Sequence, residues 1–169
     1  QVRNNKMGQA MKRVGDKVDL DFEVKVVRGD GADQEVVRFG DLLTGPTVVS
    51  VYMRNNTGSC DKQNDSLVEQ AAVISKRGWQ VVGLSRDTCG SHQKYAAKKG
   101  IGYTLVSDPK DLFAQAADAV VEKKMYGRTF HGPLRSAWLL AADGTIEAIV
   151  EKVDAKCHAD QVLAAIDSL

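Results

Sequence analysis

The sequence predicts an α/β fold, a central mixed sheet flanked by helices, and three observations predict it. The runs Thr47 to Met53 and Trp79 to Ser85 are nearly all apolar and rich in β-branched residues, as strands buried on both faces are. Between them, Cys60 to Arg77 has helical length, with Leu67, Ala71 and Ile74 on one face and Gly78 closing it. That β-α-β order sets the two strands parallel through a right-handed crossover.

The remaining elements follow from the N-terminal side. Val18 to Val27 alternates apolar and polar residues with a period of two, the pattern of a half-buried strand, and Gly29-Asp30-Gly31 turns the chain. Glu35 to Phe39 gives a short strand, and Asp41-Leu42-Leu43 a single turn before Gly45-Pro46. Arg54 to Ser59 is a polar loop. Ser91 to Lys99 reads as a helix closed by Gly100, and Ile101 to Val106 as an extended piece. Pro109 to Glu122 reads as an Ala-rich helix capped by Asp108, with Pro109 in its first position. Leu134 to Leu140 and Thr145 to Val150 form a hairpin about Asp143-Gly144, and Ala159 to Leu169 is a last amphipathic helix. Residues 14–169 are expected to form one domain, with 1–13 a flexible extension.

Composition narrows the function. The 169 residues carry a net charge of +1 with the basic residues scattered, so neither a nucleic-acid groove nor a polybasic membrane patch is read. No apolar run approaches the roughly 18 residues of a membrane span, and the first residues lack the apolar core of an export signal. Three cysteines (Cys60, Cys89 and Cys157) are too few for a stapled secreted domain. A reducing cytoplasm is the expected compartment, where a disulfide is transient and catalytic.

Cys60 follows a buried strand and opens a helix. There the unpaired N–H groups and the positive end of the helix dipole favour a thiolate, the nucleophilic form. Thr57 stands three residues before it and Gln63 three after. Two readings stay open on spacing alone: a nucleophile with Thr57, Ser59 and Gln63 in support, or a helix cap by Thr57 or Ser59 with Cys60 as a small buried residue.

Four segments in order point to a family. Thr57-Gly58-Ser59-Cys60-Asp61-Lys62-Gln63 resembles the Thr-x-x-Cys-x-x-Gln/Glu site of peroxiredoxins. Gly83 to Asp87, Tyr103 to Pro109, and Gly127 to Phe130 with Arg135 to Leu140 and Asp143 to Ile146 are similar to the family's later segments. The match spans nearly the whole chain from about Val14, nearest in style to the bacterioferritin-comigratory, or peroxiredoxin Q, branch.

The resemblance implies a thioredoxin-like fold and a thiol peroxidase acting on hydrogen peroxide and organic hydroperoxides without metal, flavin or haem. It implies Cys60 as the peroxidatic cysteine, Thr57 as the hydroxyl that aligns the peroxide, and Arg135 as the arginine that holds the thiolate and steadies the departing oxygen. It also implies a thiol reductant, thioredoxin by analogy, and a monomer, since the long C-terminal arm of dimeric relatives is missing after Leu169. Met53 departs from the pattern, standing where the family normally has Pro. A non-catalytic binding or redox-sensing module with a decayed site is therefore the alternative.

A resolving thiol is implied as well. Peroxiredoxin Q patterns place one five residues after the first cysteine, here Asp65, or in the helix after the second buried strand, here Ala96. Cys89 is assigned the role instead, because parallel strands bring the loops of Cys60 and Cys89 to one sheet edge. Cys157 is read as a bystander, His131 as a loop residue, and neither Cys89-x-x-His92 nor Cys157-His158 as a zinc site.

Overall fold

A computed structural model describes residues 10–29 and 32–169. Nine strands and four helices run in the order β1 (Glu23–Val27), β2 (Gln34–Arg38), β3 (Thr47–Val51), α1 (Gly58–Lys76), β4 (Gln80–Ser85), α2 (Cys89–Lys99), β5 (Thr104–Ser107), α3 (Leu112–Ala116), β6 (Val120–Met125), β7 (Arg128–Pro133), β8 (Ser136–Leu140), β9 (Ile146–Val150) and α4 (His158–Asp167). Seven strands form one sheet in the order β2-β1-β5-β4-β3-β8-β9, and β6 and β7 form a separate ribbon. As expected of two apolar runs joined by a helix, β3 and β4 are parallel, and β5 extends the parallel set; β1 and β8 flank it antiparallel. This is the mixed sheet between helices that the sequence predicts.

β3 is buried at every position, so its two faces meet two different cores. Val48 packs with Leu67 and Ile74 of α1, Leu139 of β8 and Val162 of α4. Val49 and Val51 face Phe39, Phe113, Trp138 and Leu140. Strand alternation puts Ser50 on the face of Val48, beneath α1 and α4. Phe113 meets the Trp138 ring edge-on at 6.0 Å, and the Trp138 indole N–H donates to Ser136 Oγ at 2.9 Å.

Three expectations need correction. The alternating run Val18 to Val27 is not one strand. Lys17 bridges Thr145 beside β9, the chain then bends where the Phe22 N–H donates to Leu20 C=O, and only Glu23–Val27 pairs with β2 and β5. Residues 30–31 of the expected turn lie outside the described residues. Pro109 to Glu122 is not one helix: Asp111 and Asp118 adopt left-handed φ of 54° on either side of the five-residue α3. Asp108 does not cap a helix beginning at Pro109; its carboxylate accepts the Leu112 and Phe113 N–H groups at 2.9 and 3.0 Å. The third correction follows: Val120–Met125 is a strand, and His131 lies in its partner β7 rather than in a loop. Tyr126 (φ 52°) and Gly127 (φ 74°) make the two-residue turn between them.

The extension expected over 1–13 falls mostly outside the described residues. Near its end, Met11 packs against the core and the Lys12 N–H donates to Ala117 C=O at 3.1 Å. Among the described residues no helix is long and apolar enough to cross a membrane.

Candidate active site

Cys60 is the third residue of α1 and is fully buried. Thr57 is the N-cap, yet its side chain caps no N–H of the first turn; its Oγ1 hydroxyl donates to Arg54 C=O at 2.9 Å. The Cys60 sulfur packs in a cluster of Tyr52, Tyr95, Ala96, Ile101 and Leu105. Ala96, the position where one peroxiredoxin Q pattern carries its second cysteine, is thus in the same cluster as Cys60.

Arg135 sits half-buried between β7 and β8 and reaches across to α1. Its Nη2 donates to Cys60 Sγ at 3.2 Å and its Nη1 to Gln63 Oε1 at 3.1 Å. The two arms of one planar guanidinium are therefore used separately, a placement that lysine does not reproduce. Gln63 is fully buried. Its Nε2 reaches back to Ser50 Oγ at 3.0 Å and Val51 C=O at 3.3 Å, fixing which end of the amide faces Arg135. Ser59 is exposed.

Two further cations lie near. Lys123 of β6 places its Nζ 2.7 Å from Met53 Sδ, so the residue standing in the usual proline position carries an ammonium group upon it. Burial, followed by the charges of Arg135 and Arg86, pushes the Lys123 pKa down from its ordinary value. Arg86 is held by Asp111, with Nε 2.9 Å from Oδ1 and a second bond from Nη2. Sequence reasoning missed Lys123 because the strand that carries it, β6, was not predicted: its first three residues were read as the end of a helix and the rest were assigned to no element.

The cysteines are all free. Cys89 is the first residue of α2, not a loop residue, and it is 5% exposed. It lines a cavity with Val24, Lys25 and Val36 on the β1–β2 side, whereas Cys60 packs on Tyr95 and Ala96 further along α2. Burial raises the Cys89 thiol pKa. Cys157 is exposed before α4. His158, read only as half of an unpromising Cys-His pair, is fully buried with its Nε2 3.2 Å from Ser50 Oγ. A polar residue in the middle of an apolar strand was the available signal, because buried Ser50 demands a partner.

Comparison with known proteins bears on the family and the fold. Residues 14–149 match the AhpC/TSA family. A peroxiredoxin Bcp of Xanthomonas campestris is 34% identical over 119 residues, covering 70% of this chain and 74% of that protein. The solved structure of Xanthomonas campestris peroxiredoxin Q superposes with a TM-score of 0.75 at 30% identity, over 88% of this chain and 91% of that one. A further structure, of the bacterioferritin comigratory protein of the same organism studied for its alkyl peroxide reduction activity, superposes with a TM-score of 0.77 at 28% identity. It covers 92% of this chain and 98% of its own.

Proposed function

As the chain belongs to the AhpC/TSA family, in its bacterioferritin-comigratory (peroxiredoxin Q) branch, and is a peroxiredoxin-type thiol peroxidase, we propose that it reduces hydrogen peroxide and alkyl hydroperoxides through Cys60, with Thr57 and Arg135 as its partners. The carrying observation is the 3.2 Å contact from Arg135 Nη2 to Cys60 Sγ.

The Cys60 thiolate attacks the terminal oxygen of ROOH. The S–O bond forms as the O–O bond breaks, and RO⁻ leaves to take up a proton as ROH. Negative charge passes from sulfur to the departing oxygen, and Arg135 spans that path with donors already in position, so little reorganisation accompanies the transfer. The Thr57 hydroxyl proton is committed to Arg54 C=O, which leaves the Oγ1 lone pairs to accept the peroxide O–H. The first-turn N–H groups of α1 supply further donors facing developing charge.

The sulfenic acid then condenses with a thiol, releasing water. Cys89 is the proposed partner within the chain, after which a dithiol reductant of the thioredoxin type exchanges the disulfide. The cytoplasm, which supplies such reductants, is the proposed compartment, and the monomer the working unit. No metal, flavin or haem enters these steps.

The test is hydroperoxide consumption in the presence of thioredoxin, its reductase and NADPH, comparing wild type with Cys60→Ser. Wild-type turnover that Cys60→Ser abolishes is expected. A wild-type protein that neither consumes peroxide nor takes up a dimedone-type sulfenic probe at Cys60 is a binding module instead.

A further inference from the structure

The Arg135 side chain is one end of a buried chain of hydrogen bonds that leaves the site in the opposite direction. Gln161 of α4 fixes the far end: its Nε2 donates to Lys152 C=O at 2.9 Å and its Oε1 accepts the Asp154 N–H at 3.0 Å. Two backbone groups thus set the orientation of this amide, and Oε1 is the end that faces His158 Nδ1, 3.3 Å away. Only an Nδ1–H satisfies that contact.

Burial holds the His158 ring neutral, with its pKa pushed down to about 4, so with the proton on Nδ1 the Nε2 carries a lone pair. The group it meets at 3.2 Å is Ser50 Oγ, which must therefore donate. Ser50 Oγ in turn accepts from Gln63 Nε2 at 3.0 Å, and Gln63 Oε1 accepts from Arg135 Nη1 at 3.1 Å. Arg135 Nη2 ends the chain on Cys60 Sγ. Every link has one permitted polarity, and the Gln161 end is anchored by backbone. α4 is itself pinned to α1 where the Ala159 N–H donates to Ser66 Oγ at 2.9 Å.

We propose that His158 and Ser50 are positioning residues for the peroxidase reaction, holding Gln63 so that one arm of Arg135 is occupied and the other is aimed at the Cys60 sulfur. The C-terminal helix is thereby part of the catalytic apparatus, although none of its residues touches sulfur or peroxide. This rests on the assignment of Cys60 and Arg135 above and adds to it the reason for Arg135's aim. Without Ser50, Gln63 keeps its bond to Val51 C=O but loses the second anchor that sets its position along β3.

The decisive experiment is a double-mutant cycle read on the second-order rate of peroxide reduction. Ser50→Ala and His158→Gln are each made alone and in an Arg135→Met background, with urea unfolding of every variant as a control. The single variants are expected to react about three- to tenfold more slowly than wild type, the range of one ordinary hydrogen bond. In the Arg135→Met background, where the chain has no end to aim, the same substitutions are expected to leave the rate within about twofold, while their stability losses persist. A merely structural role moves stability in both backgrounds and shows no coupling in rate. Folded variants reacting at the wild-type rate, or equal fold-losses in both backgrounds, overturn the proposal. Ser50→Ala adds no volume and decides alone where His158→Gln does not fold. An Arg135→Met protein as fast as wild type would instead refute the role assigned to Arg135.

Discussion

Replacing Arg135 by lysine keeps the charge near Cys60 and removes the fork. In the wild-type geometry one guanidinium serves two acceptors, Cys60 Sγ at 3.2 Å and Gln63 Oε1 at 3.1 Å. A lysine ammonium is a compact point donor on a flexible stem and is not held by two fixed directions. It therefore forfeits at least one charge-assisted bond in the transition state, or keeps it only part of the time. Hydrogen bonds to charged groups contribute about 1.5–3 kcal/mol. At 1.36 kcal/mol per factor of ten, the expected loss is about 10- to 150-fold in the second-order rate with peroxide. Stopped-flow reaction of pre-reduced protein with substoichiometric peroxide measures this step apart from recycling. Arg135 is half-buried, so unfolding curves must accompany the rates. A folded Arg135→Lys protein reacting at the wild-type rate refutes the reasoning, since charge alone would then suffice.

Three further outcomes are expected. Trp138→Ala empties the centre of the face shared with Phe113 and should cost about 3–5 kcal/mol of stability; a urea midpoint unchanged from wild type would contradict that core assignment. His158, depressed to about 4 from an ordinary 6.5, and His92, also depressed by burial, bind protons more readily in the unfolded chain. Their contribution is complete above pH 6.5 and is lost as pH falls, by about 3 kcal/mol for His158 down to pH 4; urea midpoints that do not fall between pH 7 and 4.5 would count against it, and His158→Gln should flatten the slope. Peptide mapping after one equivalent of peroxide should find a Cys60–Cys89 linked peptide, whereas a lasting sulfenic acid with Cys89 still open to alkylation would assign a one-cysteine cycle.

Where local pattern and tertiary demand agree, the fold was legible. β3, β4 and α1 follow from an apolar run, a helical stripe and a closing glycine, and Asp143-Gly144 marks the β8–β9 turn. The segment 109–122 misled because its alanines favour helix while two aspartates in left-handed conformation cut that helix to one short turn. From its last residues on, Val120–Met125 pairs with Arg128–Pro133, and that pairing was hidden behind a Tyr126-Gly127 turn rather than a stronger Asn-Gly signal. The placing of Thr57 and Cys60 at the start of α1 was legible from spacing, and the choice of Arg135, which the fold brings to Cys60, came from family resemblance. Ser50, His158 and Lys123 were not legible, because Ser50 meets His158 across 108 residues of chain and Lys123 meets Met53 across 70, in contacts that only the sheet order and the β6–β7 ribbon create.

The same contacts set the terms on which Cys60 meets a second thiol. Asn55, in the loop before α1, spends its backbone N–H and both ends of its side-chain amide on holding that loop down. Its N–H donates to Asp87 at 2.9 Å, its amide nitrogen to Ser91 Oγ and His92 Nδ1 at 3.1 Å each, and its Oδ1 accepts from the Tyr52 hydroxyl at 2.6 Å. His92 Nε2 gives its proton to Val106 C=O at 3.0 Å, so Nδ1 is the acceptor that Asn55 requires. One turn into α1, Tyr95 donates to Asp61 at 2.8 Å and accepts from Asn64 at 3.2 Å. These bonds join the start of α1 to α2, the helix that begins with Cys89. A disulfide needs Cα atoms about 4.4–6.8 Å apart, so moving Cys60 from the Tyr95–Ala96 cluster toward the β1 side of α2 breaks several of them. At about 0.5–1.5 kcal/mol each, losing four costs about 4 kcal/mol. The opened form is then on the order of one molecule in a thousand. On the proposed Cys60–Cys89 cycle, the sulfenic acid forms in a closed site and waits for it to open, so the Asn55 and Tyr95 bonds, rather than the chemistry of Cys89, would set how long a second peroxide has to reach it.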